Sequence, residues 1–201
     1  MTSALPAVTA GADDARMTRR QAELLDQLEA LFLEDGFAGF TLDDLAVRLR
    51  CSKSTLYALA GSKEQLALRV IRHFFRKATA AVEERTFTVT DPALRVTGYL
   101  TAVAAALAPA RAAFHRDLEA FPPGREVYER NTALAAERVR ELIADGVAQG
   151  RFREVHPALV ADTVTTLMFR IGRGETARAT GLDDAAAYRE LAALLLHGIT
   201  L

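Results

Sequence analysis

The apolar residues of this chain recur at helical spacing. In the first such segment, positions i, i+4, i+7 and i+8 are taken by Leu24, Leu28, Leu31 and Phe32. Alternation with a period of two is nearly absent, and the β-branched run at residues 86–90 precedes Asp91-Pro92, which favours a linker over a strand. The pattern predicts an all-α protein of about nine helices. These fall near residues 18–34, 41–49, 52–60, 62–85, 91–107, 111–120, 125–149, 157–173 and 183–199.

Helix start and stop signals agree with this division. Thr41 is followed three residues later by Asp44, which predicts a capping box with a carboxylate at N3. Ser62 and Gln65 have the same spacing and predict a second capping box. The run Pro122-Pro123-Gly124 is predicted to end the sixth helix before the long seventh helix begins at residue 125.

Charge separates the chain into two parts. Residues 16–77 hold 11 Lys and Arg against 8 Asp and Glu, a balance of +3, whereas the other residues hold 14 against 18, a balance of −4. This asymmetry favours an anion-binding N-terminal part. We therefore expect an N-terminal domain at residues 16–77 and a second domain at residues 78–201. Residues 1–15 lack a basic segment before Asp13 and Asp14, which indicates a disordered tail and not a signal peptide.

Composition narrows the possible classes of protein. The 201 residues are 50% hydrophobic and 25% charged, an ordinary globular balance. The single cysteine, Cys51, excludes an intramolecular disulfide, and the four histidines have no metal-ligand spacing, so we expect no metal and no cofactor. No catalytic constellation is recognisable, so we expect no enzyme. The longest weakly polar stretch, residues 99–110, is too short to span a bilayer, and we expect a cytoplasmic protein without membrane contact.

Two short predicted helices, 42–49 and 53–60, are joined by about three residues, a spacing typical of a helix-turn-helix motif at about residues 40–60. The outer face of the second helix carries no acid, and its members are Lys53, Ser54, Thr55, Tyr57 and Ala58. A helix that enters a major groove needs such a face, because nothing on it repels phosphate. The spacing alone leaves open an ordinary helical hairpin with a solvated face.

The segment from Leu24 to Phe75 resembles the DNA-binding domain of TetR family transcriptional regulators. The residues that carry the resemblance keep the order and spacing of that family over about 50 residues. They are Leu31-Phe32, Gly36-Phe37, Thr41-Leu42-Asp43-Asp44-Leu45-Ala46, Ser52-Lys53-Ser54-Thr55-Leu56-Tyr57 and Ser62-Lys63-Glu64-Gln65-Leu66. The C-terminal 110 residues are similar to the family only in their helical character.

The resemblance implies DNA contacts at matching positions. It assigns phosphate contacts to Thr41, to the Tyr57 hydroxyl and to Lys63, which opens the fourth helix. It places three side chains of the second short helix at the groove, and these are Lys53, Ser54 and Thr55. Non-specific phosphate contacts are a further possibility for the basic residues near the first helix, Arg16, Arg19 and Arg20, for which a solvated helix start is the alternative.

Three positions depart from the family pattern. Arg50 stands where the family has a turn glycine, and positive φ there would cost about 1 kcal/mol. Cys51 replaces an aliphatic residue and is expected to act as a small apolar filler, with redox sensing as the minor alternative. Leu59-Ala60 replace an aromatic or histidine pair, so we expect compensating packing from Phe40, Phe74 or Phe75.

The resemblance also implies roles for the second half. We expect a homodimer through the last two helices, with one apolar stripe made of Leu159, Val160, Thr163, Val164, Leu167, Met168 and Ile171. The other stripe comprises Leu191, Leu194, Leu195 and Ile199, with Ala187 and Ala192 allowing close approach. Packing of both stripes inside the monomer is the alternative. Candidate effector-pocket residues are Tyr99, Phe114, His115, Phe121, Tyr128, Met168 and Phe169.

These inferences combine into one functional hypothesis. The chain is expected to be a ligand-responsive repressor that binds a near-palindromic operator in double-stranded DNA as a homodimer and responds to a small-molecule effector. Repression is the usual mode of the family, with activation as the alternative. A helical ligand-binding or protein-interaction module that never meets DNA is the competing class.

Overall fold

The computed structural model describes residues 17–200, apart from the side chains of residues 184 and 185. The predicted tail at 1–15 and Arg16 lie outside the described residues. The described part contains ten helices and no strand, which confirms the all-α prediction. They are α1 (Arg19–Asp35), α2 (Leu42–Arg48), α3 (Lys53–Leu59), α4 (Lys63–Thr86), α5 (Pro92–Leu107), α6 (Ala112–Ala120), α7 (Pro122–Ala148), α8 (Pro157–Gly172), α9 (Glu175–Thr180) and α10 (Asp184–Ile199).

The start of α2 has the predicted capping box, whereas the start of α4 has only half of one. The Thr41 hydroxyl accepts from the Asp44 amide, and the Asp44 carboxylate accepts from the Thr41 amide at 2.8 Å. At α4 the Ser62 hydroxyl accepts from the Gln65 amide, but the Gln65 side chain turns to the amide of Gly61. The predicted capping box at α4 is therefore wrong in one of its two hydrogen bonds. The Gln65 side chain accepts from the amide of Gly61 and not from that of Ser62, the N-cap residue.

The N-terminal helices α1 to α4 enclose one hydrophobic core. Its centre includes Leu28 of α1, Leu45 of α2, Leu56 of α3 and Ile71 of α4, each at most 1% exposed. Phe114 of α6 enters the same core, where its ring meets those of Phe37 and Phe74 edge-on. The core that supports the two short helices is thus completed by a helix from the second half of the chain.

A second core joins α5, α7, α8 and α10. Leu100, Ile143 and Ile171 are buried at its centre, together with Leu191 of α10. Helix α4 belongs to both cores, because Ile71 lies in the first and Val82 in the second. The helix runs unbroken past residue 77, so the two predicted domains share it as a rigid connection.

Helix α7 begins three residues earlier than predicted. Pro122 occupies its first turn, where a missing amide hydrogen costs nothing, so the Pro-Pro-Gly run starts α7 as well as ending α6. Gly124 is buried there, and a Cβ on it would lie 2.9 Å from Cδ1 of Ile71. Close approach of α7 to α4 therefore explains a glycine inside a helix.

The tenth helix, α9, is absent from the sequence prediction. It has only six residues between Gly174 and Gly181, both of which have positive φ, and only Thr176 is buried. Because so short a helix has no apolar stripe, hydrophobic periodicity does not detect it.

The two predicted stripes of α8 and α10 are divided between the interior and the surface. Seven of their members lie in the monomer core, namely Val164, Met168, Ile171, Ala187, Leu191, Ala192 and Ile199. Leu159 and Leu194 are 65% and 71% exposed, Thr163 is also exposed, and Val160, Leu167 and Leu195 are half-buried. The assignment of whole stripes to a dimer interface is therefore wrong for the seven buried members, which are occupied within one chain.

Within residues 17–200, no single helix has both the length and the apolar character needed to cross a bilayer. The pair α5 and α6 meets these criteria only jointly, and it is bent by 87°.

Candidate DNA-binding surface

The turn between α2 and α3 is closed by an arginine in a left-handed conformation. Arg50 has φ of +49°, and no other non-glycine residue in the described part of the chain has positive φ. The amide of Cys51 donates to the carbonyl of Ala46 and thereby caps the end of α2. Arg50 therefore adopts the positive φ that a glycine would favour in the turn, at a cost of about 1 kcal/mol.

The inner face of the helix pair is held by small and aliphatic side chains. Leu45, Ala46 and Leu56 are buried, whereas Leu49 and Cys51 are half-buried. Burial raises the pKa of the Cys51 thiol, which keeps it protonated and agrees with the filler role.

Leu59 takes the place of the aromatic residue that the family pattern would put near the end of α3. Its side chain is 3% exposed and belongs to the core that also contains Phe74 and Phe75. The α3 helix is therefore anchored at its C-terminal end by an aliphatic group, and the expected compensation by phenylalanines is supplemented by Leu59 itself.

The outer face of α3 is polar and solvent-accessible. Lys53, Ser54, Tyr57 and Ala58 are exposed, with Tyr57 at 52%, whereas Thr55 is half-buried. The Ser52 hydroxyl lies 2.7 Å from that of Ser54 and 2.8 Å from that of Thr55. Two of the hydroxyls predicted to face the groove therefore also belong to a cluster at the start of α3.

An acid from α2 lies beside this face. The Lys53 ammonium is 2.6 Å from the Asp43 carboxylate, and this hydrogen bond raises the pKa of Lys53. The outer face of α3 itself carries no acid, so this partner from α2 was not predicted from the sequence. The pair is solvent-exposed, which makes it weak and easily exchanged for a phosphate.

Thr41 and Lys63, the other predicted phosphate contacts, flank the helix pair. The Thr41 hydroxyl donates to Asp44 at 2.6 Å, and this bond, with the Thr41 amide, lowers the pKa of Asp44. Lys63 stands at the first position of α4, and its ammonium donates to the carbonyl of Ala38 at 2.7 Å. Both side chains are therefore held in place by neighbours in the absence of DNA.

The loop between α1 and α2 is held from α6. One oxygen of Asp117 accepts from the amides of Phe37 and Ala38, at 2.6 and 2.8 Å. The partners are 80 and 79 residues apart in the chain. No local sequence pattern signals such a contact, and the sequence analysis missed it.

The seven candidate effector residues are dispersed over several sites. A cavity of about 80 Å³ between α4, α5, α7 and α8 is lined by three of them, Tyr99, Tyr128 and Met168. His115 lines a separate cleft with Tyr128, and Phe169 packs edge-on against Tyr128 at 5.3 Å between ring centroids. Phe114 and Phe121 lie in the N-terminal core. The polar cavity residues Thr79, Asn131 and Thr132 were not predicted from the sequence.

Burial has raised the pKa of both tyrosines in the cavity, so their hydroxyls stay protonated. The Tyr99 hydroxyl makes no hydrogen bond within residues 17–200, although its residue is 4% exposed. The cavity therefore presents a tyrosine hydroxyl that a small ligand can hydrogen-bond.

A cluster of ionisable side chains links α1 to α4. Asp26, Glu29 and His73 each bring one ligand-type atom within 4.8 Å of the others, a grouping that their wide sequence spacing concealed. The Lys77 ammonium donates to Asp26 at 2.9 Å and to Glu29 at 3.0 Å. Because Lys77 supplies the positive charge between these carboxylates, the arrangement is an ion-pair network.

The comparisons with known proteins agree with this geometry. Residues 24–70 match the family described as "Bacterial regulatory proteins, tetR family". The chain is 25% identical over 175 residues to an uncharacterised HTH-type transcriptional regulator, YfiR, of Bacillus subtilis, covering 84% of each chain.

Solved structures share the whole fold. The TetR family regulator PfmR of Thermus thermophilus is 25% identical with a TM-score of 0.66, and the match covers 87% of this chain and 97% of that one. A transcriptional regulator of Saccharomonospora viridis, solved with choline, is 17% identical with a TM-score of 0.77, covering 92% and 100%. With the exposed helix pair and its supporting core, these matches show a TetR-type DNA-binding domain at residues 24–70 and support a DNA-binding transcriptional regulator.

Proposed function

We propose that this regulator is a homodimeric repressor that binds a near-palindromic operator and is released from it by a small-molecule effector. The observation that carries the proposal is the position of α4. Its first half packs Val70, Ile71 and Phe74 into the core behind the DNA-binding helices. Its second half lines the apolar cavity with Ala78, Thr79 and Val82. One helix thus touches both of the sites that must communicate.

The DNA contacts in this proposal come from exposed or flanking side chains. Tyr57 and Ser54 on α3 reach base edges or phosphate, and Lys53 leaves Asp43 for a phosphate oxygen. Lys63 and Thr41 contact the backbone on either side, where their present partners already hold them near the surface. Thr55, whose hydroxyl lies beside that of Ser52, has the smaller part in direct readout.

Dimerisation in this proposal uses the exposed remainder of α8 and α10. Leu159 of α8 and Leu194 of α10 are large apolar side chains that are mostly exposed in the single chain, and Thr163 of α8 is exposed as well. Two copies joined there place two α3 helices on successive major-groove faces, which is the geometry that reads an inverted repeat.

The effector in this proposal is small and largely apolar. The residues that line the cavity include no charged side chain. Its polar side chains are those of Thr79, Tyr99, Tyr128, Asn131 and Thr132. A cavity of about 80 Å³ is smaller than the roughly 300 Å³ of small ligand sites, so a bound effector must widen it. The Saccharomonospora neighbour holds choline.

Widening of the cavity accounts for the release of DNA. An effector shifts the equilibrium only if it prefers the conformation that fits the operator less well. Because α4 forms one wall of the cavity, the wider state displaces α4, and the helix pair moves with it. Binding of effector and operator then oppose each other reciprocally.

The deciding experiment is selection of bound duplexes from a random double-stranded pool by the purified protein, at about 0.15 M salt. We expect enrichment of an inverted repeat whose half-sites lie about one helical turn apart. Enrichment of a single half-site would refute the dimer. Absence of any enriched sequence from the folded protein would refute the proposed operator binding.

A further inference from the structure

A groove with a volume of about 860 Å³ lies between α4 and the first turns of α7. The C-terminal end of α3 and the residues up to Gly61 line it as well. This volume is within the range of about 300–1,000 Å³ typical of sites for small molecules. The groove is distinct from the apolar cavity, because Asn131 is the one lining residue that the two share.

The walls of the groove carry cations on both sides. Arg69, Arg72 and Arg76 come from α4 at i, i+3 and i+7, which is one face of a helix, and Arg130 comes from α7. The only acid among the lining residues is Glu126. Between residues 17 and 200, neither Arg72 nor Arg130 has an ion pair with a carboxylate. Arg72 and Arg130, one from each wall, therefore offer guanidinium groups that no carboxylate of the described residues pairs with.

Apolar groups lie among these arginines. Leu25 and Leu59 line the groove but are at most 3% exposed, so its accessible apolar surface comes from the half-buried Leu68 and Val127. A bare inorganic anion gains nothing from such surface, whereas an organic molecule buries its body there. Guanidinium groups bind phosphate oxygens in bidentate fashion, which suits a ligand with several such oxygens.

We infer that this groove binds a small organic anion with two or more phosphate groups. The arginines of α4 extend over about 10 Å along the helix axis, away from Lys63 at its start. Tyr57 and Ala58, which belong to the outer face of α3, also line the groove, so the groove adjoins the proposed DNA-binding surface.

The groove also contacts the end of the DNA-reading helix. A guanidinium nitrogen of Arg69 donates to the carbonyl of Leu59, the last residue of α3. A phosphate group in the groove competes for that guanidinium. Occupancy is thus expected to alter hydrogen exchange at the amides of residues 57–61.

The test is titration calorimetry of the full chain at about 0.15 M salt with three probes: ADP, inorganic tripolyphosphate and adenosine. We expect ADP to bind once per chain, and tripolyphosphate and adenosine to bind more weakly. The double variant Arg72→Ala/Arg130→Ala should weaken ADP binding about tenfold or more, whereas Glu126→Gln should tighten it. Urea unfolding verifies that each variant folds.

Two controls separate this site from general attraction of anions. The matched variant Arg85→Ala/Arg189→Ala removes the same charge from exposed positions outside the groove and should leave ADP binding unchanged. Lys53→Ala should also leave it unchanged. Loss of ADP binding in either control, or no ADP binding up to about 5 mM, would overturn the inference. Tripolyphosphate binding as tight as that of ADP would show that the groove recognises phosphate groups alone, and would overturn the inference that its ligand is organic.

Discussion

Gly36 and Asp117 approach each other so closely that a Cβ on Gly36 would lie 2.5 Å from Oδ2 of Asp117. The same oxygen accepts the amide hydrogens of the next two residues, Phe37 and Ala38. Gly36 also has φ of +79°, a conformation that L side chains rarely adopt. The glycine is therefore required both by the backbone conformation and by the contact between α6 and the α1–α2 loop.

Replacement of Gly36 by alanine should destabilise the protein by more than the roughly 1 kcal/mol of backbone strain, because Asp117 must also move. The free energy of unfolding in urea measures this. Gly39→Ala in the same loop is the matched control, since nothing lies within 4 Å of its added Cβ and its φ is not positive. Equal stability changes in the two variants would contradict the role given to Asp117.

Arg50→Gly should stabilise the chain by about 1 kcal/mol, because glycine adopts the φ of +49° without the steric cost of a Cβ. Arg50→Ala is the comparison variant. It removes the same cation but keeps the Cβ, so its stability should stay near that of the parent chain. If both variants gain equally, the gain comes from the lost charge and not from the backbone.

The ion pair between Lys53 and Asp43 predicts opposite effects on operator affinity. Lys53→Ala should weaken binding of all duplexes and reduce the salt slope by about 1.8, which is about 0.9 for the phosphate contact of each of the two copies in the dimer. Asp43→Asn should strengthen binding, because it frees Lys53 at 2.6 Å without removing the cation. Affinities measured over a series of salt concentrations test both. A weaker complex for Asp43→Asn would show that the pair positions Lys53 for DNA.

The network around Asp26 predicts a pH dependence of stability. Hydrogen bonds from His73 and then Lys77 lower the pKa of Asp26 below its usual 3.8. A carboxylate with a depressed pKa stabilises the fold above the unfolded value and loses that contribution as pH falls through the folded pKa. The stability difference between the parent chain and Asp26→Asn should therefore be constant near neutral pH and should shrink below pH 3.8.

The control for this pH dependence is Asp162→Asn, at an exposed position of α8. The difference in the free energy of unfolding between Asp162→Asn and the parent chain should not shrink as the pH falls below 3.8. Urea midpoints at several pH values give both differences. A pH-independent effect of Asp26→Asn would mean that its charge does not contribute to the network.

The features that the sequence predicted are local ones. Thr41 and Asp44 are three residues apart, so their capping box is visible in the sequence, and the spacing from Lys53 to Leu59 places α3 well. Asp117 and Phe37 are 80 residues apart, and only the fold brings them together. The division of α8 into buried Val164 and exposed Leu159 likewise depends on how α10 and α5 pack, which periodicity does not encode.

The continuity of α4 has a consequence for angular precision. From Thr79 at the cavity to Lys63 the helix rises about 24 Å, at about 1.5 Å per residue. A tilt of about 8° about the cavity end therefore carries Lys63 sideways by about 3 Å, close to the roughly 3.4 Å rise of one base pair. A change of cavity shape that is smaller than a side chain therefore displaces the DNA-binding end of α4 by about one base-pair step.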